Sequence, residues 1–431
     1  MSENNRNSNI VRNMLTFIED SPSCYHAVEN IEHACKDKGY VSLKENEEWH
    51  LVPGGKYYVN RNGSSVIAFH IPDIEKERLK GFHMVASHSD SPGFKIKEEP
   101  EMIVEDQYVK LNVEPYGGMI MSTWLDRPLS VAGRVIISEN GKLRCKAVAL
   151  KEDILIIPNV AIHMNRDVNK GMEYNAQIDM LPLYGGKESK GSFSHLIAEA
   201  AGVDKEQVIS SDLFLCNRAP GHLLGAKGEF VCAPRLDDLE CAYASMEAML
   251  RTQPKEYVNL MVVFDNEEVG SMTKQGAAST FLQDTLYRIC ESYSLSRGDY
   301  LRLIADSFMI SADNAHAVHP NHPEKADPTN RPYVNGGIVI KYHGGQKYTT
   351  DAVSAAIMKD ICKRSGVTFQ TYANRSDIAG GSTLGNVSTA QVSVNTVDIG
   401  LPQLAMHSSY ETAGCKDMED MVKVISCFYE E

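Results

Sequence analysis

Apolar residues near the N-terminus recur at helical spacing and predict two amphipathic helices. The first covers residues 9–21 and the second covers residues 23–39. Pro22 separates them because proline cannot continue a helix, and Gly39 supplies a helix stop.

The rest of the chain alternates short apolar runs with helical patterns at both ends, and this alternation predicts a layered α/β domain with helices packed on a sheet. Each apolar run is short enough for a buried strand. The predicted strands are residues 65–71, 81–87, 257–264, 308–312, 337–342 and 391–399, and the predicted helices are residues 238–250, 351–364 and 418–428.

The middle of the chain has a different pattern, with strands that no long helix separates. Residues 108–112, 131–138 and 142–150 read as strands, and Asn140-Gly141 between the last two is a hairpin signal. We therefore predict a catalytic α/β domain formed by residues 1–94 and 226–431, a three-layer unit with a mixed sheet between helices. An inserted β-rich domain at residues 95–225 would interrupt it.

Composition narrows the functional class. The 431 residues are 43% hydrophobic and 23% charged, a typical balance for a globular protein, and the net charge is −14. Negative charge without a basic cluster argues against nucleic acid as a partner.

Targeting signals and cysteine spacing bear on the cellular compartment. The chain lacks a run of ~18 apolar residues that would predict a transmembrane helix, and the polar N-terminus MSENNRNSNIVRN lacks a secretory signal pattern. The ten cysteines form no C-x-x-C pair, so reduced and mostly buried thiols are expected. We expect a cytoplasmic protein without a membrane partner.

Histidines and acidic residues follow the apolar runs or lie beside turns in five segments. The carboxyl ends of strands line the ligand crevice in open α/β sheets, so these side chains are expected to converge. The candidates are His88, Asp90, Asp237, Asp238, Glu267, Glu268, Asp313, His316, His319 and His407.

Histidines with carboxylates and without cysteine suit zinc, cobalt or manganese. Such a set would hold two adjacent divalent ions of the kind that activate water for hydrolysis. Glu268 would then bind a metal, while Glu267 would take a proton from the attacking water and pass it to the leaving amine. Asp90, two residues after His88, would accept the free ring N–H of that histidine.

Each segment also has a simpler interpretation when taken alone. The helix dipole and capping favour Asp237 and Asp238 at a helix start in any protein. His316, His319 and His322 would be ordinary loop residues, and an isolated Glu-Glu pair is usually a solvated face. The five segments together favour a two-metal hydrolase over these readings.

Taken in order, the motifs HSDSP, RLDDLE, DNEEVGS, SADNAHAVHPN and PQLAMHSSYE resemble the aspartyl aminopeptidase family of two-metal exopeptidases. The resemblance covers nearly the whole chain. It implies that His88, Asp237 and Asp313 hold one metal ion, with zinc expected first. It also implies that Asp237, Glu268 and His407 hold the other.

The resemblance implies further roles around this centre. Asp237 would bridge the two ions, Glu267 would be the general base and Asp90 would orient His88. A cis peptide bond is implied between Asp237 and Asp238, and Asp238 stands where many family members have asparagine.

Family substrates are peptides with an unblocked N-terminal Asp or Glu, which require a local positive charge. The resemblance assigns this role to Lys341, with Tyr348 in the same pocket. Taken alone, Lys341 would more simply be a lysine that protects an edge strand from aggregation. The glycine-rich residues 377–386 correspond to a loop near the active site and lack the pattern of a phosphate-binding loop.

The β-rich domain resembles the family's dimerisation domain. There, the residue that matches His163 reaches into the neighbouring subunit's active site. The family assembles dimers into a homododecamer that admits short peptides. We expect a metalloaminopeptidase for acidic N-terminal residues. A related two-metal aminopeptidase for neutral residues, a deacylase and a non-catalytic metal-stapled assembly protein are the alternatives.

Overall fold

The computed structural model describes residues 3–431, with side chains from residue 9 onward. Met1 and Ser2, which begin the polar N-terminal stretch, lie outside the described residues. Within the described part of the chain, none of the helices combines the length and the apolar character needed to cross a membrane.

The helices alternate with strands at both ends of the chain, as predicted. They are α1 (Glu3–Glu19), α2 (Cys24–Asp37), α3 (Ala176–Asp179), α4 (Phe193–Ala201), α5 (Leu236–Arg251), α6 (Phe281–Ser292), α7 (Arg297–Ala305), α8 (Ala352–Ser365), α9 (Leu384–Ser388) and α10 (Cys415–Tyr429).

The strands form three sheets. They are β1 (Val41–Leu43), β2 (Lys56–Arg61), β3 (Ser65–His70), β4 (Gly81–His88), β5 (Gly93–Val104), β6 (Tyr108–Tyr116), β7 (Ser130–Glu139), β8 (Lys142–Ala149), β9 (Leu183–Gly186), β10 (Val208–Cys216), β11 (His222–Leu224), β12 (Phe230–Ala233), β13 (Tyr257–Phe264), β14 (Phe308–Ala312), β15 (Ala315–His316), β16 (Ile338–Tyr342), β17 (Phe369–Ala373), β18 (Asn395–Gly400), β19 (Pro402–Leu404) and β20 (Glu411–Gly414).

The first sheet has nine strands in the order β1-β2-β3-β13-β4-β14-β18-β16-β17. Its central strands β13, β4, β14 and β18 are parallel. One face packs against α1, α2, α5, α8 and α10, and the other packs against α6, α7 and α9. This confirms the predicted three-layer arrangement.

The second sheet has six strands in the order β8-β7-β10-β5-β6-β9, and all its pairs are antiparallel. Its apolar residues form a separate core with α4. Asn140 and Gly141 both have positive φ, of 53° and 74°, and form the predicted hairpin between β7 and β8. Such a two-residue turn matches the twist of the paired strands.

The third sheet is small, and its strands have the order β11-β12-β20-β19-β15. Its strand β15 follows β14 of the first sheet, so the third sheet lies beside the carboxyl end of the first. Its strands are short, and the helical pattern of α5 begins directly after β12. The sequence pattern did not predict this sheet.

One predicted strand, residues 391–399, begins later than expected. The backbone N–H groups of Gln391 and Val392 donate to the Ser388 carbonyl at 3.0 Å, which makes a turn after α9. Because these donors are used locally, pairing in the sheet starts only at Asn395. Alternating apolar residues alone could not distinguish this turn from a strand.

Candidate metal centre

Three of the candidate segments meet because parallel strands of the first sheet end side by side. Phe264, the last residue of β13, pairs with His88, the last residue of β4. Glu267 and Glu268 follow β13 in a single 3-10 turn, and Asp313 follows β14 directly. The sheet thus delivers one histidine and three carboxylates to one edge.

Two further candidates, Asp237 and His407, lie in segments that follow inner strands of the third sheet. Asp237 lies near the start of α5, with the cis Asp237–Asp238 bond that the resemblance implies. His407 lies between β19 and β20 with a positive φ of 66°. The Glu411 carboxylate accepts hydrogen bonds from the backbone N–H of Asp237 at 3.0 Å and of His407 at 2.7 Å. One buried side chain therefore fixes both segments.

The side chains form two groups that share Asp237. His88 Nε2 lies 3.5 Å from Asp237 Oδ1 and 4.0 Å from Asp313 Oδ1. His407 Nε2 lies 3.3 Å from Asp237 Oδ2 and 3.4 Å from Glu268 Oε1. In each group, one possible ligand atom per residue lies within 4.8 Å of the others.

These residues fit divalent metal ions. Asp237 Oδ1 and Glu268 Oε1 are buried and form no hydrogen bond with any residue in the described chain. A buried carboxylate oxygen without a partner is costly, and coordination of a cation removes that cost. Imidazole and carboxylate ligands without thiolate are typical of zinc sites that perform catalysis.

Both histidines present the same ring nitrogen to the centre. His88 Nδ1 lies 3.1 Å from the Asp90 carbonyl, and His407 Nδ1 lies 2.7 Å from the Gly118 carbonyl. A carbonyl can only accept, so Nδ1 carries the proton in each ring and Nε2 is left as the ligand atom.

Asp90 lies beside the His88 ring as predicted, and it makes further contacts that the prediction did not include. Its carboxylate lies 3.3 Å from His88 Nδ1, but the backbone carbonyl of the same residue is closer. The carboxylate oxygens instead accept hydrogen bonds from the backbone N–H of Glu267 at 3.1 Å and of Glu268 at 3.2 Å. Asp90 thus supports the turn that carries the glutamates as well as the histidine.

Glu267 lies beside the two groups, and its surroundings raise the pKa of its carboxyl. Burial raises the pKa of its carboxyl to about 8; His88 opposes this rise, and Asp313 and Asp90 add to it. A bound cation favours ionised carboxylates and would bring this pKa down. A carboxylate of this kind is suited to accept and return a proton near neutral pH.

Asp238 lies next to the first group, where it also offers a possible ligand atom, and it supports β4. Its Oδ2 accepts a hydrogen bond of 3.1 Å from the backbone N–H of His88. Burial first, and then the neighbouring Asp313 and Asp237, raise the pKa of Asp238 well above its usual value. A neutral carboxylic acid here has nearly the shape and charge of asparagine.

The edge-strand interpretation of Lys341 is wrong. Its strand, β16, lies between β18 and β17, and the residue is only 2% exposed. Strand order depends on long-range pairing that the local sequence does not contain. Lys341 Nζ donates to the Asn314 carbonyl at 2.9 Å and lies 3.5 Å from Asp313 Oδ2.

Lys341 keeps its positive charge despite this position. Burial alone would lower the pKa of the ammonium group, but the carboxylates of Asp313 and Asp398 help to raise it above its usual value. The ammonium group lies 5.4 Å from the ring centre of Tyr348, a cation–π distance. Tyr348 is itself buried.

The two groups and the lysine line one cleft of about 440 Å³. The glycine-rich segment contributes Gly381, Ser382 and Thr383 to its wall, and His316 contributes its ring. The size suits a peptide end or another small ligand.

Two of the candidate histidines, His163 and His319, and the loop residue His322 lie outside the cleft. His163 occupies an exposed turn and is not among the described residues that line the cleft. His319 and His322 are exposed, with their ring centres 5.3 Å apart, and do not contact the centre.

Sequence reasoning missed Glu411 and Tyr116. Glu411 is the final residue of the motif PQLAMHSSYE, four positions after His407, so its proximity to the motif was an available signal. Tyr116 donates a hydrogen bond of 2.8 Å to Asp90 Oδ2. Nothing in the pattern around Tyr116 marked it.

Comparison with known proteins gives a consistent family. The model of the Aminopeptidase I zinc metalloprotease family (M18) matches residues 17–429. The chain is 46% identical over 424 residues to a probable M18 family aminopeptidase 2 of Clostridium acetobutylicum, covering 97% of this chain and 98% of that protein.

Solved structures agree with this fold. The structure of Chaetomium thermophilum mApe1 superposes with a TM-score of 0.88 at 32% identity, covering 98% of each chain. The structure of the S. cerevisiae mApe1 dodecamer superposes with a TM-score of 0.85 at 26% identity, covering 99% of this chain and 97% of that one.

Proposed function

This chain belongs to the M18 family of zinc aminopeptidases and is a metal-dependent exopeptidase, and we propose that it removes unblocked N-terminal Asp or Glu from short peptides with two metal ions. The observation that carries the specificity is the buried ammonium group of Lys341 in the wall of the cleft. A buried positive charge beside a peptide site selects a negative side chain.

The two groups described above would hold the ions. His88, Asp313 and Asp237 would bind one, and Asp237, Glu268 and His407 would bind the other, most simply both as zinc. Cobalt and manganese accept the same ligands. When bound, the ions supply Lewis-acid activation of water and of the scissile carbonyl.

The protein residues would complete the reaction. Glu267 takes a proton from the attacking water as the carbonyl carbon becomes tetrahedral, and it returns the proton to the leaving amine when the C–N bond breaks. Asp90 holds Glu267 in place through the backbone hydrogen bond of 3.1 Å. Lys341 holds the substrate's side-chain carboxylate while Tyr348 packs beside it.

Assembly forms a second part of the proposal. The segment around His163 exposes the apolar side chains of Val160 (51%), Ile162 (48%) and Met164 (81%), which suits a surface that another subunit covers. One structural relative is described as a dodecamer. We therefore propose that residues 95–225 form a dimerisation domain, that dimers assemble into a homododecamer and that His163 reaches the partner's cleft.

The test is hydrolysis of Asp-, Glu- and Leu-p-nitroanilide before and after chelation, with zinc, cobalt or manganese added back. Cleavage that metal restores for the acidic substrates supports the proposal. Restored cleavage of the leucine substrate alone would instead favour the alternative of an aminopeptidase for neutral residues.

The Lys341→Met variant sharpens this test because it removes the charge and keeps much of the side-chain volume. We expect kcat/KM for the acidic substrates to fall about 30-fold to 1000-fold, equivalent to about 2–4 kcal/mol, with a smaller change for leucine. Lys359→Met is the matched control, since Lys359 lies on α8 near the Tyr342 ring. Equal losses for acidic and neutral substrates would remove Lys341 from specificity.

A further inference from the structure

The end of β6 reaches from the second sheet into the metal centre. We propose that residues 116–120 position the side chains of both metal groups, so that the second sheet takes part in catalysis; this inference rests on the proposed function. The residues of this segment include Gly118 in the wall of the cleft, but the role proposed for them is to position other side chains. They act through Asp90, Glu268 and His407.

Tyr116 makes the first connection. Its hydroxyl donates to Asp90 Oδ2 at 2.8 Å and accepts from Asn266 Nδ2 at 2.9 Å. Asn266 Oδ1 accepts from the side chains of Thr273 and Gln275, both at 2.8 Å, so the amide nitrogen is the group that faces the tyrosine. The phenol thus links the β4 end to the turn after β13.

The Asp90 carboxylate that Tyr116 orients also holds the two glutamates of the metal centre. It accepts the backbone N–H groups of Glu267 and Glu268. Without the tyrosine proton, the carboxylate loses one of the donors that fix its orientation. Both glutamates would then be held less firmly.

The ring of Tyr116 is fixed by the second sheet. It packs edge-on against Phe214 on β10, with ring centres 5.3 Å apart and an interplanar angle of 82°. An aromatic pair of this geometry resists reorientation. The hydroxyl therefore takes its position from the sheet and not from the loop that it contacts.

The next residues make the second connection, to the other metal group. A Cβ on Gly117, where φ is +73°, would lie 3.0 Å from Glu268 Cβ. The Gly118 carbonyl accepts the Nδ1 proton of His407 at 2.7 Å, and the Ile120 N–H donates to the His407 carbonyl at 2.9 Å. This segment sets the His407 tautomer and lets the backbone approach Glu268 closely.

The test compares Tyr116→Phe with Tyr184→Phe. Tyr184 lies on β9 of the same sheet, its hydroxyl bonds to Ser192 at 2.7 Å, and its ring packs edge-on against Phe193 at 5.7 Å. Both variants lose one partly buried hydroxyl and keep the aromatic pair. Only Tyr116 is connected to the metal centre.

Four quantities are measured for wild type and both variants: kcat and KM on Asp-p-nitroanilide, zinc affinity by competition with a chromogenic chelator, the visible spectrum of the cobalt-loaded protein, and Tm. For Tyr116→Phe we expect a loss of about 10-fold to 100-fold in kcat or zinc affinity, a nearly unchanged KM and an altered cobalt spectrum. Tyr184→Phe should match wild type in all but Tm.

The inference is overturned if the two variants agree in kinetics, zinc affinity and spectrum, or if Tyr116→Phe changes Tm alone. Failure of the proposed function gives a different result. If wild type cleaves leucine rather than acidic substrates, specificity fails, while zinc affinity and the cobalt spectrum still decide the role of Tyr116. A wild-type protein that binds no metal would overturn both.

Discussion

The two larger sheets use apolar residues in different ways. All eight residues of β4 are buried, because helices cover both faces of the first sheet. In β6 of the second sheet, buried residues alternate with more exposed ones over much of the strand. A strand covered on both faces accommodates polar side chains chiefly at its ends, which collects candidate ligands there.

Substitutions at the ends of the strands in the first sheet should therefore have the largest effect on activity. Glu267→Gln keeps the size of the side chain and removes its capacity to accept a proton. We expect kcat to fall about 100-fold to 10,000-fold, the usual range for general acid–base catalysis. Metal content by mass spectrometry and Tm should match wild type.

Glu256→Gln is the matched control for this variant. Glu256 directly precedes β13, at the opposite end of the strand that leads to Glu267, and it forms an ion pair with Lys80 on the surface. It should keep full turnover. A Glu267→Gln protein that is as active as this control would exclude proton transfer by Glu267.

The difference between the sheets also explains what could be predicted from the sequence. His88, Glu267 and Asp313 come at or just after the ends of runs of buried residues, so these polar residues stand out in the sequence. Tyr116 ends a strand of mixed burial, where a tyrosine is ordinary. Its role depends on how the second sheet sits against the first, which local sequence does not encode.

The same limit applies to strand order and to the third sheet. Lys341 looked like an edge residue because the neighbours of β16 come from segments distant in sequence. Glu411 joins Asp237 and His407 only once β12 and β20 have paired. Patterns along the chain predicted elements and ligand types, but long-range pairing determined which polar residues support them.

A substitution in the third sheet should have an effect of intermediate size. Glu411→Gln keeps one acceptor oxygen, so only one of the two N–H groups now held by the carboxylate retains its bond. We expect zinc affinity or kcat to fall about 10-fold to 100-fold, as is typical for residues that orient metal ligands. Isothermal titration of the metal-free protein with zinc measures the affinity.

Glu419→Gln is the control for this variant. Glu419 lies on α10, is also buried and is outside the metal centre. The substitution should change zinc affinity little. If the Glu411 variant binds zinc as tightly as wild type, the third sheet would not position the metal ligands as described.

Asp238→Asn should have the smallest effect. The hydrogen bond from the His88 N–H needs only an acceptor oxygen, which asparagine also provides. Because burial already favours the neutral form of Asp238, we expect kcat/KM to change by less than about 3-fold. A loss of 100-fold or more, measured on Asp-p-nitroanilide, would show that the ionised carboxylate is required.

The most direct measurement of the central claim is anomalous diffraction at the zinc edge from crystals of the zinc-loaded protein. The account predicts two peaks in each chain, about 3.5–4 Å apart. One should lie against His88 and Asp313, the other against Glu268 and His407, and Asp237 should contact both. A single peak, or peaks away from these residues, would contradict a two-metal centre at the ends of these strands.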